Sequence, residues 1–160
     1  MTKFLLHIPL LVGLLLVPAL GWADFLAGLE AADRGDYHTA IKEFQFSAEW
    51  GDVKARYSLG VMYQLGLGVP QDDQEAVRWY RLAAEQGDAL AQFNLGIAYR
   101  QGRGVPKNYV QAYLWATLAA GKGIEEVVEL RDSLEKIMTP DQIAEAQRLA
   151  REWKAKGKRE

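Results

Sequence analysis

The chain has 160 residues, 49% of them hydrophobic, with 19 Lys and Arg against 21 Asp and Glu. That is one domain's worth of chain with an ordinary charge balance, and no interleaving of basic and aromatic residues suggests a nucleic-acid surface. It has no Cys and two His, which removes disulfide staples and leaves zinc without its usual ligands, so neither a metal nor another cofactor is expected.

Residues 1–23 have the pattern of a secretory signal. Lys3 supplies a short positive start, Leu10 to Ala19 is almost wholly apolar, and Gly21-Trp22-Ala23 offers the small residues a signal peptidase requires. Cleavage after Ala23 predicts a periplasmic or secreted protein with no membrane attachment, and removing Lys3 takes the 19 basic side chains to 18. Without Cys there is no lipobox lipid. The competing expectation is a membrane-tethered scaffold, because Phe4 to Trp22 is apolar apart from His7 and nearly spans a bilayer. Pro9, Gly13 and Pro18 weaken that helix.

Residues 24–50 are a shortened copy of a block that then appears twice, over 51–86 and 87–122. Ala40, Ile41, Phe44 and Ala48 stand 36 residues before Ala76, Val77, Tyr80 and Ala84, but Gly28 lies closer to its second helix than Gly60 does, and the tight turn Arg34-Gly35-Asp36 replaces a longer loop. Such spacing suits an N-terminal cap, since one face of an end unit has no neighbour. This part is acidic, with Asp24, Glu30, Asp33, Asp36, Glu43, Glu49 and Asp52 outnumbering Arg34 and Lys42.

The two full copies align at a spacing of 36 residues. Gly51-Asp52 falls on Gly87-Asp88, Ala55 on Ala91, Leu59-Gly60 on Leu95-Gly96 and Tyr63 on Tyr99; Gly66, Gly68, Val69 and Pro70 fall on Gly102, Gly104, Val105 and Pro106, and Ala76, Trp79, Ala83 and Ala84 on Ala112, Trp115, Ala119 and Ala120. Within a copy, Ala55, Leu59 and Tyr63 share one stripe of a helix expected from about Asp52 to Leu65. Gly60 beside that stripe allows a second helix to approach closely. The segment from Gly66 to Pro70 breaks the helix, and Pro70, Asp72 and Asp73 suit the first turn of another, running to about Glu85. Ala76, Trp79, Tyr80, Ala83 and Ala84 form its apolar face, which makes Trp79 and Trp115 core residues.

The succession A-x3-L-G-x2-Y, G-x-G-V-P, A-x2-W-Y-x2-A-A and a closing G-D resembles the Sel-one-like repeat, a relative of the tetratricopeptide repeat, over roughly Phe25 to Lys122. The resemblance implies an all-α fold, an α/α superhelix of helix-turn-helix repeats with about eight helices in the mature chain. It further implies that first helices line a concave surface and second helices form the outer wall.

Residues 123–160 depart from the pattern and read as capping helices with a basic tail of Arg151, Lys154, Lys156, Lys158 and Arg159. Val127, Leu130, Leu134 and Ile137 keep helical spacing. Thr139-Pro140-Asp141-Gln142 is a helix start, with Thr139 as N-cap and Gln142 as its reciprocal partner, and the last helix should reach about Lys154 with Ile143, Ala146, Ala150 and Trp153 on its apolar stripe.

Chemistry is thinly supplied. His38 suits a solvent-facing turn, and G-x-G-V-P lacks the third Gly and the strand of a dinucleotide site, although Arg103 and Lys107 make the second loop basic where Leu67 and Gln71 stand in the first. Ser133-Leu134-Glu135-Lys136 matches the S-x-x-K spacing of penicillin-binding enzymes, and the resemblance extends to a cysteine-rich branch linked to penicillin binding. The S-D-N and K-T-G partner strings and that branch's cysteine pairs are missing, so a β-lactam- or peptidoglycan-handling protein is the weaker alternative. A non-catalytic adaptor of the cell envelope is the stronger one, with a protein or peptide partner held on the inner surface by Lys54, Ser58 and Val61 of one copy and Leu90, Asn94 and Ile97 of the next.

Overall fold

The hairpins start and stop where the glycines and aspartates direct. In the computed structural model, which describes residues 24–157 apart from the Lys122 side chain, α1 covers residues 24–33. It is followed by α2 (Tyr37–Glu49), α3 (Val53–Leu65), α4 (Asp73–Glu85), α5 (Ala89–Gln101) and α6 (Tyr109–Ala119), then a 3-10 turn (Ala120–Lys122), α7 (Glu125–Glu135) and α8 (Pro140–Lys156). These described residues are all-helical, with no strand. The expected signal and the tail residues Lys158 and Arg159 lie outside them.

Each Gly-Asp pair is a joint between units. Gly51 and Gly87 take φ of +92° and +88°, which an L side chain resists, and there the chain leaves the second helix. The next residue caps the following helix: Asp52 accepts from the Ala55 N–H at 2.8 Å and Asp88 from the Ala91 N–H at 2.7 Å. A second tie spans the same joint. Arg56 Nε donates to the Ala48 carbonyl at 3.2 Å, and one repeat later Gln92 Nε2 donates to Ala84 at 3.0 Å. Each adds a second donor to a carbonyl of the preceding helix's last turn that already accepts from the joint glycine, Gly51 or Gly87.

Glycine also sets how closely the two helices of a hairpin approach. A Cβ on Gly28 would lie 2.5 Å from the ring of Phe44, and one on Gly60 2.5 Å from the ring of Tyr80. The residue 36 after Tyr80 is Ala116, and Gly96 packs instead on the Ala112 carbonyl and on Leu130 of α7, each 3.2 Å from an added Cβ.

Both loops fold alike. Gly66 and Gly102 end their helices at φ +68° and +73°; the Asp72 N–H donates to the Tyr63 carbonyl, and the Asn108 N–H to the Tyr99 carbonyl, both at 2.9 Å. The second glycine reaches the preceding unit. A Cβ on Gly68 would meet the Tyr37 carbonyl at 2.5 Å, and one on Gly104 would collide with the Asp73 carbonyl. Tyr37 and Asp73 are equivalent first residues of α2 and α4, so each loop locks onto the start of the previous second helix. The new helices begin later than the prolines suggest, at Asp73 and Tyr109, with Asp72 and Asn108 as N-caps. Pro70 and Pro106 shape the loop rather than the first turn.

Three cores result. Ala40, Ile41 and Phe44 pack with Ala55 and Leu59, and Trp79 reaches back onto them; Ala83 and Ala84 pack with Ala91 and Leu95, and Trp115 reaches back in the same way. Trp115 is buried, while Trp79 is half-buried beneath the Arg78 guanidinium, 4.3 Å from its ring. The third core joins α6 to Val127, Leu130 and Leu134 of α7 and Ala146 of α8. α6 is apolar almost all round and is wrapped by α5, α7 and α8. Ile137 falls beyond α7 and is exposed, Met138 taking the buried place. Thr139 and Gln142 form the expected reciprocal cap of α8. α3 reaches α5 across the unit boundary, whereas α4 and α6 lie further apart, so the first helices occupy the inner side of the bend.

The loop contact predicts a sharp contrast. Gly104→Ala should cost about 3 kcal/mol, from positive φ and a backbone clash, lowering Tm by about 6–12 °C. Arg103→Ala removes only the half-exposed ion pair with Asp73 at 3.1 Å and should cost less than about 1 kcal/mol. Gly121→Ala, where an added Cβ meets nothing within 4 Å, should be near neutral. Thermal unfolding of the three variants checks the order.

Candidate functional site

The inner side carries side chains from equivalent positions of successive first helices. Three residues before each packing glycine stand Phe25, Tyr57 and Phe93; directly after it stand Leu29, Val61 and Ile97. All are half-buried except Leu29, which is exposed. Two rows, one aromatic and one aliphatic, therefore run along the inside of the stack. The fourth row position, on α7, breaks both, since Glu129 and Ser133 stand where Phe93 and Ile97 stand one unit earlier.

Of the six residues singled out from sequence, Lys54 and Leu90 are exposed, and Ser58, Val61, Asn94 and Ile97 are half-buried. Asn94 does more than face outward. The rings of Tyr57 and Tyr80 lie 5.9 Å apart, Tyr80 Oη donates to Gln64 Oε1 at 2.5 Å, and the Asn94 amide is near enough to both phenols to favour their ionised forms. Burial raises the pKa of both phenols, and Asn94 opposes the rise only in part. These groups border a cleft of about 50 Å³ lined by Gln64, Asp73, Tyr80, Asn94, Ile97 and Arg103. The Arg103 guanidinium is tied to Asp73, which explains the basic residue in the second loop as an inter-unit tie.

A larger cleft of about 410 Å³ opens between α5 and α7. Phe93, Ile97 and Leu130 supply its apolar surface, and Arg100, Glu126, Glu129 and Ser133 its polar groups. Ile97 borders both clefts. Ser133 Oγ donates to the Leu130 carbonyl at 2.7 Å and accepts from Arg100 Nη1 at 3.2 Å. Its proton is held by a backbone carbonyl rather than by an amine base, and Lys136 is exposed at the end of α7. His38 is also exposed. Among the described residues, no group of three or more His, Asp or Glu could hold a metal ion, and no helix is long and apolar enough to cross a membrane.

Sequence reasoning missed the Tyr80–Gln64–Asn94 cluster and the α5–α7 cleft. The signal for the first was the pairing of Tyr80 with Gly60, 20 residues apart on the two helices of one hairpin. For the second it was the replacement of apolar row residues by Glu129 and Ser133.

Hairpins stacked through shared cores, with their first helices inward, define an α/α solenoid of the tetratricopeptide type. Matches to the Sel1 repeat family model cover residues 53–88 and 89–124. The structure is similar to that of c5321, a protective antigen of uropathogenic Escherichia coli with an SLR fold, at a TM-score of 0.78 and 32% identity over 83% of this chain and 29% of that one. It is similar to a Sel1 repeat protein from Oxalobacter formigenes at a TM-score of 0.65 and 34% identity, over 69% of this chain and 45% of that one. Helicobacter pylori cysteine rich protein B shares the fold at a TM-score of 0.61 and 21% identity, over 74% of this chain and 91% of that one. The chain thus spans less than half the length of the first two. No curated protein matches the sequence. Residues 53–124 thus comprise two Sel1 repeats, a unit generally found in protein-interaction scaffolds.

The phenols give a pH test. Burial raises the folded-state pKa of Tyr57, Tyr80 and Tyr113 above 10.0. The folded chain therefore holds those protons more tightly than the unfolded chain, and that contribution is complete below about pH 10 and is lost as pH rises through the folded values. Urea midpoints should be level between about pH 8 and 9.5 and fall above about pH 10. Tyr80→Phe should make the fall shallower while costing about 1 kcal/mol at neutral pH, since Gln64 loses a donor.

Proposed function

We propose that this protein is a non-catalytic adaptor of the bacterial cell envelope, exported after cleavage behind Ala23, that holds a peptide or partner helix against the inner side of its solenoid. The general use of the fold for protein interaction supports this. The observation that carries it is the pair of rows along the first helices, Phe25, Tyr57 and Phe93 beside Leu29, Val61 and Ile97, left half-buried or exposed at equivalent positions of successive units. A continuous line of partly exposed apolar side chains is what a partner's alternate residues or helical face can occupy. Lys54, Ser58 and Leu90 border it with mixed charge and polarity. Asn94 and Ile97 line the same small cleft beside Tyr80.

Two measurements test this. The intact mass of the protein isolated from cells should correspond to a chain starting at Asp24, whereas a mass including residues 1–23 would favour the tethered form. Affinity capture from envelope extract with the wild type and with a Lys54→Ala/Asn94→Ala/Ile97→Ala variant should show a partner recovered at least several-fold less by the variant. Equal recovery would remove the groove from the account.

A further inference from the structure

The α5–α7 cleft differs in chemistry from the rest of the inner surface. Earlier positions of the aromatic row carry Phe25, Tyr57 and Phe93, but on α7 the position carries Glu129. Glu126 lies one turn earlier and lines the same cleft. Its place in the first turn of α7 suits the helix dipole, but Glu129 is beyond that turn and has no such role. Among the described residues neither carboxylate has an ion-pair or hydrogen-bond partner, and the cleft's cation, Arg100, spends its contact on the neutral Ser133 hydroxyl. Two carboxylates against one guanidinium leave the cleft net negative, above an apolar floor of Phe93, Ile97 and Leu130.

We infer that this cleft takes a cationic segment of a partner protein, one that seats an aliphatic side chain on Ile97 and Leu130 and places a Lys or Arg about one helical turn away against Glu126 and Glu129. The inference rests on the groove proposed above and names what lies in it. A volume of about 410 Å³ accommodates one large aliphatic side chain with the stem of a lysine or arginine, whose methylenes pack on apolar surface while the charge stays at the rim. Charge complementarity of this kind selects partners and speeds encounter more than it adds affinity, and it is screened by salt.

The test is a selection from a displayed library of random 12-residue peptides on the purified protein, with synthetic versions of the enriched sequences titrated against variants. Enriched peptides should pair Lys or Arg with Leu, Ile or Met within four positions. Their affinity should fall about tenfold on Glu126→Gln/Glu129→Gln and stay within about twofold on the control Glu49→Gln, with binding weakened by raising salt from about 50 to 500 mM. Circular dichroism should show the double variant still helical. Binders without positive charge, insensitive to Glu126→Gln/Glu129→Gln yet abolished by Ile97→Asp, would overturn the cationic occupant and leave the groove standing. No enrichment, or binders indifferent to all these substitutions, would overturn both.

Discussion

The contact on which the rest of the structure depends is that between each glycine loop and the helix before it. Gly68 lies against the backbone of Tyr37 and Gly104 against that of Asp73, at distances that leave no room for a side chain. Because backbone meets backbone, the contact fixes the placement of one hairpin on the last without relying on any particular side chain. The tryptophans then act within that fixed frame. Trp79 and Trp115 reach back from their own second helices into the preceding core, so each of the first two cores is completed by a residue from the next unit. No hairpin can close its apolar face alone, which is the physical reason repeat units come in stacks.

From this packing the inner surface follows. Second helices meet the first helices of the following unit, and the bend brings α3 towards α5. Residues just after each packing glycine are then presented along one line, and their neighbours three residues earlier along another. The regularity ends at α6. Having no polar side, α6 is covered by α7 and α8 together, and α7, seated on the α6 core, meets α5 through Leu130 against Gly96 and Ser133 against Arg100. The wide cleft lies beside Ile97 where the repeat pattern ends, and its carboxylates come from α7, which departs from that pattern.

Most of the architecture was legible in the sequence because it is written twice. The Gly-Asp joints, the helix spans, the role of Gly60 and the reciprocal cap at Thr139 all involve residues whose local chemistry leaves few alternatives. Other features depend on tertiary placement. Arg56 and Gln92 perform one task, capping the previous helix, with different side chains, so comparison of the copies hides it. Trp79 and Trp115 are equivalent in sequence yet differ in burial, because Trp79 meets a shortened first unit and Trp115 has Trp153 of α8 at 5.2 Å to cover it. Pro70 suggested a helix start but serves the loop, three residues before the helix begins. Asn94 varied between copies like a surface residue, and its place beside Tyr57 and Tyr80 required knowing which helices lie side by side.

Native-state hydrogen exchange across a denaturant series bears most directly on the claim that units hold one another in place. Amides of α4 and of α5 belong to different hairpins but share one core, so they should open together, with equal free energies and equal denaturant dependence. Were the α3–α4 hairpin to exchange freely while the α5–α6 hairpin stayed protected, each would be a self-sufficient fold, and the account of a mutually completed solenoid with a groove set by its stacking would be contradicted.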